Sequence, residues 1–205
     1  MECSKIKNNI LKNCDFPLIT GTGNRAFVIN KEDIESVIFN VLNKSIVEFI
    51  VLKPGAIAYV IEGINNSISP KATLIQNTFT KNYDHLISFI GFDISPETKD
   101  NIEKSKEGLF VVITENVFRG EDGSSAFEIY GLSSGLVYTL LEKDPNNADT
   151  SGGFAFTLAS GKNKENFLPA SVFIVSYEAT LSFIESLLIP SLGGFSNGFS
   201  NGFNV

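Results

Sequence analysis

Leu109-Phe110-Val111-Val112-Ile113-Thr114, Ala126-Phe127-Glu128-Ile129-Tyr130, Leu136-Val137-Tyr138-Thr139-Leu140-Leu141 and Phe154-Ala155-Phe156-Thr157-Leu158-Ala159 are short runs of β-branched, aromatic and aliphatic residues. Polar, turn-forming links separate them. Gly120-Glu121-Asp122-Gly123-Ser124-Ser125 has the make-up of a hairpin loop, and Lys143 to Gly153 that of a longer one. Strands spaced this closely predict a mainly β sandwich or barrel rather than βαβ units.

Towards the N-terminus, residues 16–92 have the same character. Ala56 to Glu62, after the Lys53-Pro54-Gly55 turn, and Ala72 to Thr80 alternate polar with apolar residues, as half-buried strands require, and Leu86 to Phe92 continues the theme. Between the two halves stands one helix signal, Ser95 to Gly108. Ser95 is placed as N-cap, Pro96 at the first helical position and Gly108 past the last turn, with Glu97 and Asp100 early and Lys104 and Lys106 late. Only Ile102 is strongly apolar there, which predicts a helix on the surface or at a subunit contact.

Towards the C-terminus, Leu181, Ile184, Leu187 and Leu188 fall at helical spacing before Pro190, so a second helix is possible over Glu178 to Leu188. The expected fold is mainly β, with one flanking α-helix and a C-terminal arm: a single domain over residues 1–190, then a low-complexity segment, 191–205. That arm repeats Phe-Ser-Asn-Gly. Either this arm is disordered in the isolated chain or its Phe195, Phe199 and Phe203 dock on a neighbouring subunit; docking is favoured, because exposed phenylalanines at regular spacing invite aggregation.

The 205 residues are 43% hydrophobic and 19% charged, with 18 Phe, which excludes intrinsic disorder. A formal net charge of −7 argues against gripping DNA and suits a surface that DNA passes without sticking. The 2 cysteines, Cys3 and Cys14, precede the main body and are expected as reduced thiols. The opening residues lack the apolar core of a signal peptide, and Ile46 to Ile64 is too interrupted to span a membrane.

Chemistry-bearing patterns are few. Gly21-Thr22-Gly23-Asn24-Arg25-Ala26 spells the dinucleotide fingerprint, but Ala26-Phe27-Val28-Ile29 reads as strand where that motif needs a helix. His85, the sole histidine, has no nucleophile nearby in sequence and is expected to be satisfied or solvent-facing, so that His85→Gln would be nearly neutral. Asp144 to Asp149 begins like a calcium loop but puts Ala148 and Asp149 where a ligand and a glycine belong. Glu121-Asp122 reads as a solvated turn tip. No catalytic residue, cofactor or metal site is therefore expected. Tyr59, Tyr83 and Tyr138 are candidates for a carbohydrate platform, if exposed.

The order of elements from Leu86 to Phe173 resembles that of a family of virion structural proteins of phages and prophages of Bacteroidetes, the tail tube and tail-ring proteins. The strand ending Phe89-Ile90-Gly91-Phe92, the charged helix through Lys106, and Gly108 to Asn116 running into an Asn-bearing turn are similar to that family. So are Phe127 to Leu136, the loop from Asp144 to Gly153 and the closing strand Phe154 to Gly161. Cys14-Asp15 with Arg25 to Ile34 resembles its first strand and turn. The resemblance implies a non-enzymatic subunit that forms a homo-oligomeric ring around a DNA channel. Its partners would be other tail, portal or adaptor proteins; DNA would pass unbound and no membrane would be involved. The protein would be made in the bacterial host cytoplasm and reside in the virion tail or neck. Phe118, Arg119 and the arm phenylalanines are then candidates for the assembly interface, and Glu121, Asp122, Asp144 and Asp149 for an acidic lumen. The alternative is a monomeric or trimeric β-sandwich module for capsid decoration or carbohydrate binding.

Overall fold

The structure, a computed structural model, describes residues 6, 9–11, 14–15, 17–64, 66–76 and 78–190. In chain order the strands are β1 (Thr22–Asn30), β2 (Ile34–Phe39), β3 (Ile46–Leu52), β4 (Tyr59–Glu62), β5 (Ile68–Gln76) and β6 (Lys81–Gly91). Helix α1 (Pro96–Ser105) follows, then β7 (Phe110–Asn116), β8 (Phe127–Tyr130), β9 (Leu136–Lys143), β10 (Phe154–Ser160), β11 (Ala170–Val172) and helix α2 (Tyr177–Ser186). The fold is mainly β, as expected, with two helices flanking it.

All the strands belong to one hydrogen-bonded sheet that divides into two leaves at β7. The first leaf runs β2-β3-β11-β8-β7, with β1 on the other edge of β7 and β4 outside β1. The second runs β9-β10-β6-β5, and β9 joins β7 only through the pair Phe110 and Leu136. One apolar cluster fills the space between the leaves: Ala26, Val28, Phe110 and Val112 from the first meet Ile87, Phe89, Phe156 and Leu158 from the second. The other cluster lies on the opposite face of the first leaf, where Phe27, Ile29, Val111, Ile113 and Phe127 pack with Ile184 and Leu187 at α2. Two-sided burial explains why Phe110 to Ile113 is an unbroken apolar run rather than an alternating one.

Both helices start as their local chemistry dictates. The Ser95 hydroxyl accepts from the Thr98 N–H, with Pro96 next in line, and the Ser176 hydroxyl accepts from the Ala179 N–H. They differ in what they cover. No residue of α1 is fully buried and Ile102 alone leans on the core, whereas α2 buries Thr180 and Ile184.

Several strand bounds differ from the sequence reading. Residues 56–58 stay outside β4, and the Ala58 N–H goes instead to the Leu187 carbonyl (2.8 Å) at the end of α2. Strand β5 begins at Ile68 and runs through Pro70, which is tolerated because β5 is an edge strand. Strand β6 starts at Lys81, well before Leu86. The dinucleotide-like stretch leads straight into β1, as its strand character predicted. Among the described residues no helix is long and apolar enough to cross a membrane.

Candidate functional site: the groove beneath helix α1

Where the two leaves diverge, α1 roofs a groove of about 730 Å3. Its walls come from distant parts of the chain. Tyr59 and Ile61 stand on β4, Phe92 and Asp93 follow β6, Asn101 and Ile102 face it from α1, and Phe110, Tyr138, Phe154 and Phe156 form an aromatic floor. The Tyr138 ring meets Phe110 edge-on at 5.8 Å and Phe156 at 5.8 Å, and Phe156 stacks on Phe89 at 4.9 Å. Such a floor combines apolar area with aromatic faces that accept rings or alkyl groups.

Helix α1 is fixed over this floor at both ends. At its start the Asp93 carboxylate accepts from the Ser95 N–H (2.8 Å), the Ser95 hydroxyl (2.9 Å) and the Thr98 hydroxyl. Those bonds, the Thr98 hydroxyl foremost, hold the exposed Asp93 carboxyl below its ordinary range. At its end the Gly108 N–H donates to the Ser105 carbonyl (2.8 Å). A side chain at Gly108 would lie 2.5 Å from the Phe110 ring, so only glycine lets the chain drop that ring under the helix. Tyr59 is 53% exposed and Phe92 36% exposed, which leaves the mouth accessible.

Of the three candidate tyrosines the fold brings Tyr59 and Tyr138 to this groove. Tyr83 lies elsewhere on β6, exchanging backbone hydrogen bonds with Glu165 (2.8 and 2.9 Å).

Among the described residues, the remaining candidates form no common site. Phe118 is half-buried after β7. The Arg119 guanidinium lies 3.8 Å from the Tyr177 ring centroid and donates to Glu115 Oε1 (3.1 Å), which also accepts from the Tyr177 hydroxyl (2.8 Å). Burial, then that bond to Glu115, raises the Tyr177 hydroxyl above the usual tyrosine range. Gly123, at φ +87°, lets this loop press on α2, since a side chain there would come within 2.9 Å of Tyr177. Glu121 and Asp122 are exposed at the loop's tip, and the side chain and N–H of Ser124 hold the Asp122 carboxyl below its ordinary range. Asp144 closes a turn by accepting from the Asn146 N–H (2.9 Å), and Asp149 is exposed beyond it. The two acidic loops pack on different elements, one on α2 and the other beside Gly91. Among the described residues no group of three or more His, Cys, Asp or Glu side chains is placed to hold a metal ion. Cys14 is exposed, while Cys3, Phe195, Phe199 and Phe203 lie outside the described residues.

His85 corrects its sequence reading in one respect: it is satisfied, but it is 2% exposed and belongs to the interior. Its Nε2 lies 3.0 Å from the Phe167 carbonyl and must donate to it, so Nδ1 is free to accept from the Gly131 N–H at 3.2 Å. Burial therefore holds the imidazole neutral and lowers its pKa, against the opposing pull of Glu165. The alternation His85, Ile87, Phe89 already places the histidine on the core face of its strand, a signal lost by starting the strand at Leu86.

Glu165 carries no comparable signal. It is 1% exposed and its two oxygens accept from the N–H groups of Ser133 (2.7 Å) and Ser134 (2.8 Å), pinning the turn between β8 and β9. Nearby, the Tyr130 hydroxyl donates to Glu128 (2.6 Å), and burial with that carboxylate keeps it protonated far above the usual range. Comparison of the chain with family models, curated proteins and solved structures gives no match.

Proposed function

We propose that this chain is a non-catalytic structural subunit that assembles with copies of itself, as a phage tail tube or tail-ring protein would. The observation that carries the reading is the β2–β3 hairpin. Its turn is held by hydrogen bonds from Asn40 to Glu48 (2.6 Å) and from the N–H groups of Leu42 and Asn43 to Asn40 (2.9 Å each). Yet this well-tied turn exposes 84% of Val41 and 96% of Leu42, beside Ile38, Phe49 and Val51 at 46%, 40% and 38%. Strand β2 also ends the strand order, so among the described residues its outer edge has no strand partner. An ordered apolar surface next to an open edge is costly in a lone molecule and useful in an assembly.

The net charge of −7, with Glu121, Asp122 and Asp149 exposed, supports a ring lumen that DNA passes without sticking. Light scattering and electron microscopy of the purified chain test the reading. Rings or stacked oligomers that are lost in Val41→Lys/Leu42→Lys with unchanged circular dichroism are expected; a monomer at every concentration overturns it. A second reading, a carbohydrate-binding or capsid-decoration module, is supported by Tyr59 and Tyr138 in the groove. Glycan-array binding by a monomer or trimer would favour it.

A further inference from the structure

The groove beneath α1 has an aromatic floor and an open mouth, and the strand that walls it also marks where the chain's last segment departs. Ala58, just before β4, donates its N–H to the Leu187 carbonyl (2.8 Å), tying the end of α2 to the approach to this strand. Ala58 and Val60 pack in the cluster that contains α2, and Tyr59, Val60 and Ile61 line the groove, so β4 stands between the two. Beyond Pro190 the sequence continues to Val205, with Phe195, Phe199 and Phe203 separated by Ser-Asn-Gly units. From Leu187 to Phe203 the contour is at most roughly 53–58 Å, enough to reach an adjoining molecule of this size.

We infer that the groove beneath α1 is the receptor for the Phe195 to Phe203 segment of a neighbouring copy. The chemistry of the two matches: rings spaced by short polar units meet a floor of Phe110, Tyr138, Phe154 and Phe156 whose rim carries Asn30 and Asn101. The small glycines between the rings let the backbone approach that rim closely. Direction selects the neighbour over the same chain. Leu188, close to the last described residue, packs in the cluster on the α2 face of the first leaf, whereas Val28, Phe110 and Phe156 put the groove on the other face of that leaf, so the last packed residue of the described chain lies away from its own groove.

This inference rests on the assembly reading and names one of its contacts, and disulfide trapping in the full chain tests it. In a background with Cys3→Ser and Cys14→Ser, one preparation carries Asn101→Cys, exposed on α1, and the other Ser200→Cys. Mild oxidation of the mixture is expected to link the two chains, with about tenfold more product than when Glu178→Cys on α2 replaces Asn101→Cys, as held proximity requires. Changing Phe195, Phe199 and Phe203 to Ser should abolish the link, with circular dichroism unchanged. A chain carrying both cysteines that links only within itself overturns the inference, as does a yield equal to the Glu178→Cys control. Light scattering keeps the two readings apart. If no link forms between the Asn101→Cys and Ser200→Cys chains while the wild type still gives oligomers, the groove assignment fails and the assembly reading stands; a wild type that is monomeric throughout overturns both.

Discussion

Strands β7 and β9 have similar composition and opposite fates. Phe110 to Thr114 in β7 are all buried, and the strand has β1 along one edge and β8, with the first residue of β9, along the other. Strand β9 begins the same way at Leu136, which is 0% exposed, but Leu140 and Leu141 are 47% and 42% exposed. After Leu136 its edge towards β7 has no strand partner among the described residues, and adjacent leucines on opposite pleats are both half open. An apolar run thus states that a strand will form and leaves open whether other layers cover it. Where they do not, the surplus apolar area is available to another molecule.

The largest effect should come from the two-sided strand. Ile113→Ala removes a side chain that is 0% exposed, between β1 and β8 and beside α2, and should cost about 2–5 kcal/mol. Urea unfolding should show a lower midpoint with an unchanged slope. A cost below about 1 kcal/mol would mean that the first leaf repacks freely and that the contrast with β9 is false.

Next in size is Glu165→Gln. The substitution keeps the shape but places an amide NH2 against one of the two N–H donors, Ser133 or Ser134, now satisfied by carboxylate oxygens. Leaving a sheltered donor unmet costs about 1–3 kcal/mol. Because this turn delivers the chain into β9, amide exchange there should accelerate more than in β7; uniform acceleration would contradict a local clamp.

The His85 network should give a smaller, pH-dependent effect. Its folded pKa lies below the unfolded value of about 6.5, so the folded state binds fewer protons. The stabilisation is fully present above about pH 6.5 and is lost as pH falls below it through the folded value. Protonation would turn Nδ1 from acceptor into donor against the Gly131 N–H. The urea midpoint of the wild type should drop between pH 7.5 and 5.5, a window above most carboxylate titrations, and His85→Gln should flatten that slope while being less stable at pH 7.5.

What the sequence made legible was local. Ser95-Pro96 announced α1 because an N-cap and a first-turn proline act within one turn, and β-branched runs announced strands because the pleat has a period of two. Glu165 was illegible because its partners, Ser133 and Ser134, are backbone groups far along the chain inside a polar stretch that reads as loop. The groove was illegible for the same reason at a larger scale: Tyr59, Phe92, Phe110 and Tyr138 converge only once the leaf order is known. Leu140 and Leu141 have the character of strand residues, and nothing in their spacing tells that β9 loses its neighbour after Leu136.

The smallest effect on folding should come from those leucines, and it is the most informative about function. Leu140→Ser with Leu141→Ser changes half-exposed side chains whose backbone pairing with Thr157 and Phe156 on β10 is retained. Substitutions at such surface positions stay within about 0.5 kcal/mol each, so the melting curve should barely move. If the open end of β9 is an assembly surface, however, the same change removes apolar area that only a neighbour can cover, and the particle mass by light scattering should fall while circular dichroism stays constant. A marked loss of stability in the monomer would show that the leucines serve the second leaf itself. Unchanged mass with unchanged stability would take β9 out of the interface and leave the β2–β3 hairpin to carry it.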